Sequence, residues 1–293
     1  MRYLVTGASG FVGTAVTAEL IAAGHEVRGL VRSDRAAEAI RSLGAEPVLG
    51  TIEDTDLLRA AAAASDGVVH LAFNHDFSRF EESARVERGA IEAFGTALEG
   101  SDRPLAIASG VAGLTSGRTA VESDRPAPGS PRSGNADAAL ALADRGVRAT
   151  VVRLAPSVHD ASPAGFVAHL VETARATGSS GYVGDGEQRW AAVHRADAAR
   201  LFRLAVERGR AGEVYHAVGE EGVPTRAIAE AVAALTGVDV APVPDAEAAH
   251  RFGFLAGILA LDSPASNAWT RERFGWNPTG PGLLADIAAW PGA

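Results

Sequence analysis

The sequence contains few side chains that can move a proton near neutral pH. It has no cysteine, all 27 of its basic residues are arginine, and tyrosine occurs only three times. Arginine stays protonated at ordinary pH, so a lysine-type base or a Schiff base is excluded. Thiolate nucleophiles and cysteine-ligated metals are excluded with the cysteines. Proton transfer is left to histidines, carboxylates, hydroxyl groups and Tyr182.

Three candidate catalytic residues, Ser109, His75 and His159, follow predicted strands. Ser109 is the next-to-last residue of "PLAIASG", His75 follows "GVVHLAF", and His159 follows "RATVVRLAP". Ligands bind at the carboxyl ends of the strands in open α/β sheets, so we expect all three to face one cleft. Histidine, with an ordinary pKa of about 6.5, is a natural proton donor. The alternatives are that Ser109 caps its strand and that His75 is a solvated loop residue.

Further polar and aromatic residues are candidate substrate contacts. Asp76 follows His75 directly, although consecutive side chains point apart. Tyr182 and Trp190 either line a substrate pocket or belong to the apolar core. No metal site is expected, because His75 and Asp76 lack a second histidine at ligand spacing.

The segment "TGASGFVG" predicts a phosphate-binding turn. It places Gly7, Gly10 and Gly13 at G-x-x-G-x-x-G spacing between a strand and a helix, with Ser9, Phe11 and Val12 as further expected cofactor contacts. The first glycine permits a tight turn, the second allows backbone N–H groups to approach a pyrophosphate, and the third allows close helix packing. The alternative is an ordinary glycine-rich turn, but the strand before it and the helix after it favour dinucleotide binding.

The end of the second predicted strand, "GLVRSDR", bears on the choice of cofactor. An acidic residue near this point binds the ribose 2′-hydroxyl of NAD, whereas arginine suits the 2′-phosphate of NADP. Here Arg32 ends the strand, with Ser33 and Arg35 beside it, and Asp34 begins the next helix. We therefore expect NADP(H) rather than NAD(H), the alternative being a solvated arginine.

Short β-branched runs alternate with alanine- and leucine-rich helical segments through the first half of the chain. Six strand–helix units at this spacing predict a Rossmann-type α/β fold, a doubly wound parallel sheet with a smaller, mostly helical C-terminal substrate lobe. The expected domains are residues 1–158, with 190–218 returning to them, and a lobe of 159–189 and 219–293. A net charge of −9 argues against nucleic-acid binding. No apolar run reaches membrane-spanning length and no signal peptide precedes the first strand, so a cytoplasmic protein is expected.

The glycine spacing, "HLAF" after the fourth strand and "IASG" after the fifth resemble the short-chain dehydrogenase/reductase superfamily. The later "GYVGDGEQRWAAVHRADAARL" is similar to a segment of its extended, epimerase/dehydratase-like branch. The resemblance implies hydride transfer at a nicotinamide and a serine at position 109 that polarises the substrate oxygen. It also implies that Leu71, Ala72, Phe73 and Pro156 contact the cofactor.

The helix that begins in "SPRSGNADAAL" departs from this resemblance. The superfamily normally carries a Tyr-x-x-x-Lys pair here, and counting along the helix puts Pro131 and Asn135 at the two positions. The chain therefore resembles atypical members that keep the cofactor glycines without the usual catalytic pair. We interpret the segment as structural, with Asn135 or Ser133 capping the helix.

These observations favour an NADPH-dependent reductase of a small carbonyl compound, with the proton supplied by Ser109, a cleft histidine or water. Two alternatives stay open: a non-catalytic NADP(H) sensor and a cofactor-assisted epimerase or dehydratase. The expected partners are a small-molecule substrate and a second copy of the chain, without nucleic acid or membrane.

Overall fold

The computed structural model describes residues 1–74, 79–126 and 131–291, apart from the side chains of 131–133. His75 and Asp76 lie outside the described residues. Within the described chain, contacts divide the protein into two units. Unit 1 comprises Met1–Ser109, Ala127–Arg153 and Ala198–Tyr215, and unit 2 comprises Gly110–Pro126, Leu154–Asp197 and His216–Ala293.

The strands in chain order are β1 (Arg2–Thr6), β2 (Glu26–Val31), β3 (Glu46–Leu49), β4 (Gly67–His70), β5 (Pro104–Gly110), β6 (Arg148–Leu154), β7 (Ser157–His159), β8 (Ser179–Val183), β9 (Arg189–His194), β10 (Val214–Ala217), β11 (Glu220–Pro224) and β12 (Asp239–Val243). The helices are α1 (Phe11–Ala22), α2 (Asp34–Arg41), α3 (Thr55–Ala63), α4 (Phe80–Leu98), α5 (Pro131–Ala141), α6 (Gly165–Thr177), α7 (Arg195–Arg208), α8 (Thr225–Thr236), α9 (Asp245–Phe252), α10 (Leu255–Leu259), α11 (Ala268–Phe274) and α12 (Leu283–Ala289).

The main sheet is a seven-stranded parallel sheet in the order β10-β6-β5-β4-β1-β2-β3. Leu4 and Val5 of β1 are fully buried, as expected for a strand with helices over both faces of its sheet. The chain order reverses direction between β1 and β4, which pair in parallel. In doubly wound folds such a reversal opens a crevice at the carboxyl ends of the two strands, where dinucleotides bind. The predicted Rossmann-type fold is confirmed.

Unit 2 combines helices with two small sheets. One sheet has the order β11-β9-β7 and the other pairs β12 with β8. Its apolar core includes Trp190, Ile228, Val232 and Leu283, all almost completely buried. Among the described residues, none of the helices has both the length and the apolar character needed to cross a bilayer.

Candidate cofactor and acid–base sites

The turn after β1 requires a glycine at position 7. Gly7 has φ +67°, a conformation that costs glycine little. A Cβ at this position would lie 2.9 Å from the backbone nitrogen of Ala72. The loop after β1 and the loop after β4 thus lie so close together that only a residue without a side chain fits at position 7.

The N-terminus of α1 has the form of an anion-binding site. Gly10 is the N-cap residue, so no side chain caps the helix, and the first turn contains no acidic residue. A Cβ on Gly13 would lie 1.9 Å from the carbonyl oxygen of Gly7, so only glycine lets the helix approach the turn this closely. Ser9 and Gly10 are exposed, while Phe11 and Val12 are partly buried. These residues fit the pyrophosphate of a dinucleotide, because helix N-termini present backbone N–H groups to anions.

A buried threonine joins the two loops. The Oγ1 atom of Thr6 accepts hydrogen bonds from the backbone N–H groups of Leu71 and Ala72, each at 3.2 Å. The same oxygen lies 2.7 Å from Nδ1 of His70. The N–H groups of Leu71 and Ala72 are therefore directed at Thr6, and the ring of Phe73 packs edge-on against that of Phe80.

The end of β2 presents two exposed arginines. Arg32 and Arg35 form no ion pair with any residue that the structure describes, and both are exposed. Ser33 has a structural role, because its hydroxyl oxygen accepts the N–H of Ala36 and caps α2. Asp34 is the first residue of α2, as the sequence predicts. Both guanidinium groups are available to an anion at this strand end.

Ser109 is the candidate substrate contact on β5, and Asn135 lies at the lysine position of the missing catalytic pair on α5. Ser109 lies at the carboxyl end of β5, is partly buried, and so remains a candidate substrate contact. The prediction that Asn135 or Ser133 caps the helix is wrong, because α5 begins at Pro131 and both residues lie inside it. The side-chain amide of Asn135 instead donates hydrogen bonds to the carbonyl oxygen of Ala84 and to Oε2 of Glu87, each at 2.8 Å. Asn135 thus fastens α5 to α4.

His159 belongs to a buried polar cluster in unit 2. Its Nδ1 atom lies 2.6 Å from Oδ2 of Asp286 on α12, and both residues are 3% exposed. Its Nε2 atom has no hydrogen-bond partner among the described residues and lies 3.9 Å from Oε2 of Glu220. Nε2 of His194 is 3.9 Å from the same oxygen of Asp286. We call His159, His194, Glu220 and Asp286 the histidine cluster.

Burial governs the pKa of His159 within this cluster. Desolvation lowers the pKa of His159, while its hydrogen bond to Asp286 and the charges of Asp286 and Glu220 oppose that shift. The imidazole is therefore neutral at physiological pH, with its Nδ1–H donated to Asp286 and a lone pair on Nε2. Such a ring can accept a proton, but its own atoms are shielded from solvent.

A cavity of about 140 Å³ lies beside the histidine cluster within unit 2. His194 and Glu220 line it, together with Asp197 and the loop from Pro278 to Gly282. Asp197 accepts the backbone N–H groups of Thr279 and Gly280, and Glu220 accepts that of Leu283. The two carboxylates thus hold the loop that forms one wall of the cavity.

The predicted substrate contacts Tyr182 and Trp190 are buried. Trp190 has no exposed surface, and its indole N–H donates to the carbonyl oxygen of Ile258. Tyr182 is 5% exposed, and its hydroxyl accepts a hydrogen bond from Arg226 at 2.7 Å. Trp190 thus occupies the core position that was the alternative interpretation. Pro156 is partly buried in the short connection between β6 and β7.

Sequence reasoning missed the residues that hold the buried histidines His70 and His159. Thr6 directly precedes the glycine motif, and a hydroxyl at the end of β1 was a signal that could have been used. Asp286 lies 127 residues from its partner His159, so no local pattern connects them. Within the described residues, no group of three or more histidine or acidic side chains is arranged to hold a metal ion.

Comparisons with known proteins agree with the dinucleotide-binding fold described above. The model of the NAD-dependent epimerase/dehydratase family matches residues 3–90. An uncharacterised protein of Schizosaccharomyces pombe is 44% identical over 99% of both chains. The 4-hydroxy-2-methyl-3-oxo-4-farnesyl-3,4-dihydroquinoline-1-oxide ketoreductase of Stigmatella aurantiaca is 31% identical, covering 73% of this chain and 67% of its own. The crystal structure of Thermus thermophilus UDP-glucose 4-epimerase with NAD covers 99% of this chain and 97% of its own, with 22% identity and a TM-score of 0.78. At that identity the structural likeness shows the fold alone.

Proposed function

The chain belongs to the NAD-dependent epimerase/dehydratase family, and we propose that it is an NADPH-dependent reductase of a small carbonyl compound. The observation that carries the proposal is the glycine turn after β1, where added Cβ atoms on Gly7 and Gly13 would meet neighbouring backbone. Reduction rather than epimerisation is supported by the likeness to a ketoreductase. When bound, the cofactor supplies a hydride.

Arg32 and Arg35 support NADPH as the cofactor. Their guanidinium groups are exposed at the end of β2, and no ion pair within the described residues engages them. Arginine binds phosphate through paired, charge-assisted N–H bonds. The hydroxyl of Ser33 is already used in capping α2. The two arginines would hold the 2′-phosphate.

Ser109 is the proposed contact for the substrate oxygen. It is the next-to-last residue of β5, the strand next to β4 in the sheet order, so it lies at the edge of the sheet where ligands bind in such folds. A hydroxyl donor directed at a carbonyl oxygen stabilises the negative charge that develops there on reduction. The proton itself would come from Ser109, from His75 or from water. The expected homodimer and cytoplasmic location stay predictions.

The test is a titration of the purified protein with NADPH and NADH, followed by NADPH oxidation over a panel of small aldehydes and ketones. We expect tighter binding of NADPH, and a loss of about 10-fold or more in its affinity for Arg32→Ala, because a charge-assisted bond is removed. Arg85→Ala, an exposed arginine on α4, is the matched control and should bind both cofactors unchanged. Tighter NADH binding that Arg32→Ala leaves unaltered would contradict the NADPH assignment.

The assay of NADPH oxidation distinguishes an enzyme from a protein that only binds the cofactor as a sensor. Ser109→Ala should lower kcat for the best carbonyl substrate by about 10-fold or more while leaving NADPH affinity unchanged. Binding of NADPH without oxidation over the whole panel would instead favour the sensor alternative.

A further inference from the structure

His70 lies beneath the cofactor turn in unit 1 and is 1% exposed. It is the last residue of β4, and its ring packs edge-on against Phe94 with centroids 5.3 Å apart. Its Nδ1 atom approaches the Thr6 hydroxyl at 2.7 Å, the shortest of the polar contacts made by that oxygen. Neither His70 nor Thr6 is a proposed cofactor contact. Thr6 directly precedes the glycine turn, however, so the contact between the two residues lies next to that turn.

The hydrogen positions in this contact follow from counting donors and acceptors. The Thr6 oxygen has two lone pairs and one hydrogen. The N–H groups of Leu71 and Ala72 can only donate, and both face the lone pairs of this oxygen, although the Leu71 N–H is shared with the backbone carbonyl oxygen of Thr6 at 3.3 Å. The hydroxyl hydrogen must then be donated elsewhere, and Nδ1 of His70 is the acceptor at bonding distance. This requires a neutral imidazole whose Nδ1 carries a lone pair and whose Nε2 carries the hydrogen.

We infer that His70 is a positioning residue for the cofactor site, acting through the hydroxyl of Thr6. By accepting the hydroxyl hydrogen, the ring turns both lone pairs of Thr6 toward Leu71 and Ala72. Those two bonds hold the loop after β4 against the turn after β1, where a Cβ on Gly7 would lie only 2.9 Å from Ala72. The inference rests on the proposed function, since the two loops meet at the crevice where a dinucleotide would bind.

The contact between Thr6 and His70 also explains why these two positions carry a threonine and a histidine. A threonine at position 6 supplies one oxygen that can serve two amides and one further partner, which a valine of the same shape cannot do. A histidine at position 70 offers an acceptor on a rigid ring, so the direction of the hydroxyl is fixed as well as its distance. The two loops are therefore held at one separation in the free protein, before any ligand binds.

The experiment compares NADPH affinity across three variants of the full chain. Thr6→Val removes the oxygen while keeping the shape, and should weaken NADPH binding by about 10-fold or more, because the Ala72 N–H loses its acceptor and the Leu71 N–H keeps only the backbone carbonyl oxygen of residue 6. His70→Leu removes the acceptor on the ring and should weaken binding by about 3-fold to 10-fold. His70→Asn, whose side-chain oxygen can replace Nδ1 as the acceptor, should restore most of that loss.

Two measurements on the free protein keep this test separate from folding and from the cofactor assignment. NMR of the ring nitrogens should show the hydrogen of His70 on Nε2, and hydrogen exchange at Leu71 and Ala72 should accelerate in His70→Leu but not in His70→Asn. The inference is overturned by a hydrogen on Nδ1, or by folded Thr6→Val and His70→Leu proteins that bind NADPH as the wild type does. A wild type that binds no NADPH would overturn the proposed function, and the cofactor role of His70 with it.

Discussion

His70 in unit 1 and His159 in unit 2 are both buried histidines whose Nδ1 atoms form a short polar contact. The partner of His70 is a neutral hydroxyl, that of Thr6, at 2.7 Å. The partner of His159 is the carboxylate of Asp286, at 2.6 Å. A hydroxyl that already accepts two amides makes the ring an acceptor, whereas a carboxylate makes the ring a donor. The charge of the partner therefore decides which nitrogen carries the hydrogen.

The two contacts also differ in what they hold together. Thr6 and His70 end neighbouring parallel strands, so their contact aligns two loops of one sheet. His159 and Asp286 bring β7 to α12, and Glu220 and His194 add further ionisable groups around the ring. We expect the first contact to affect ligand binding most and the second to affect stability and its dependence on pH.

The largest effect is expected for Asp286→Ala. The change removes the acceptor of a buried imidazole N–H and should lower the free energy of unfolding by about 3 kcal/mol, the cost typical of breaking a buried pair. Urea unfolding of both proteins at neutral pH measures this difference. Glu172→Ala is the matched control, because Glu172 lies 3.8 Å from His169 and is largely exposed, and should change stability by less than about 0.5 kcal/mol. Equal losses in the free energy of unfolding for Asp286→Ala and Glu172→Ala would contradict a stabilising role for the buried contact between His159 and Asp286.

The second prediction concerns pH. Burial lowers the pKa of His159 in the folded protein, against the opposing effects of Asp286 and Glu220, while His194 adds to the lowering. Between that lowered value and about 6.5, the unfolded chain binds a proton that the folded protein does not. The free energy of unfolding should therefore fall as the pH decreases through this window, by up to about 1.4 kcal/mol per pH unit from this residue.

The measurement is urea unfolding between pH 5 and pH 7.5 for the wild type and for His159→Gln. The variant is less stable throughout, so the comparison is between slopes: the wild type should lose stability more steeply below about pH 6.5. Parallel curves would show that His159 does not titrate differently in the two states.

The parts of the molecule that could be predicted from sequence are those encoded by neighbouring residues. The glycine spacing at Gly7, Gly10 and Gly13 and the cap at Ser33 each depend on a few consecutive positions, and the alternation of strands and helices gives the sheet. Each is visible as a local pattern, because backbone conformation and helix capping are local properties.

The parts that could not be predicted depend on partners far apart in the chain. Asn135 was expected to cap its helix because asparagine favours that position, but a contact with α4 uses its amide instead. The partner of His159 is 127 residues away. Which buried groups meet is decided by the packing of whole elements, and the residue types alone leave several pairings open.

The smallest effect is expected for Thr6→Ser, which separates the hydroxyl from the shape of the side chain. Serine keeps the oxygen that accepts Leu71 and Ala72 and donates to His70, and loses one buried methyl group. Removing that methyl should lower the free energy of unfolding by about 1 kcal/mol. NADPH affinity should stay within about 2-fold of the wild type, because the loops remain joined. Titration with NADPH and urea unfolding of the same preparation measure both quantities. A serine variant that loses NADPH affinity as severely as Thr6→Val would show that the methyl group, and not the hydroxyl that His70 orients, holds the two loops together.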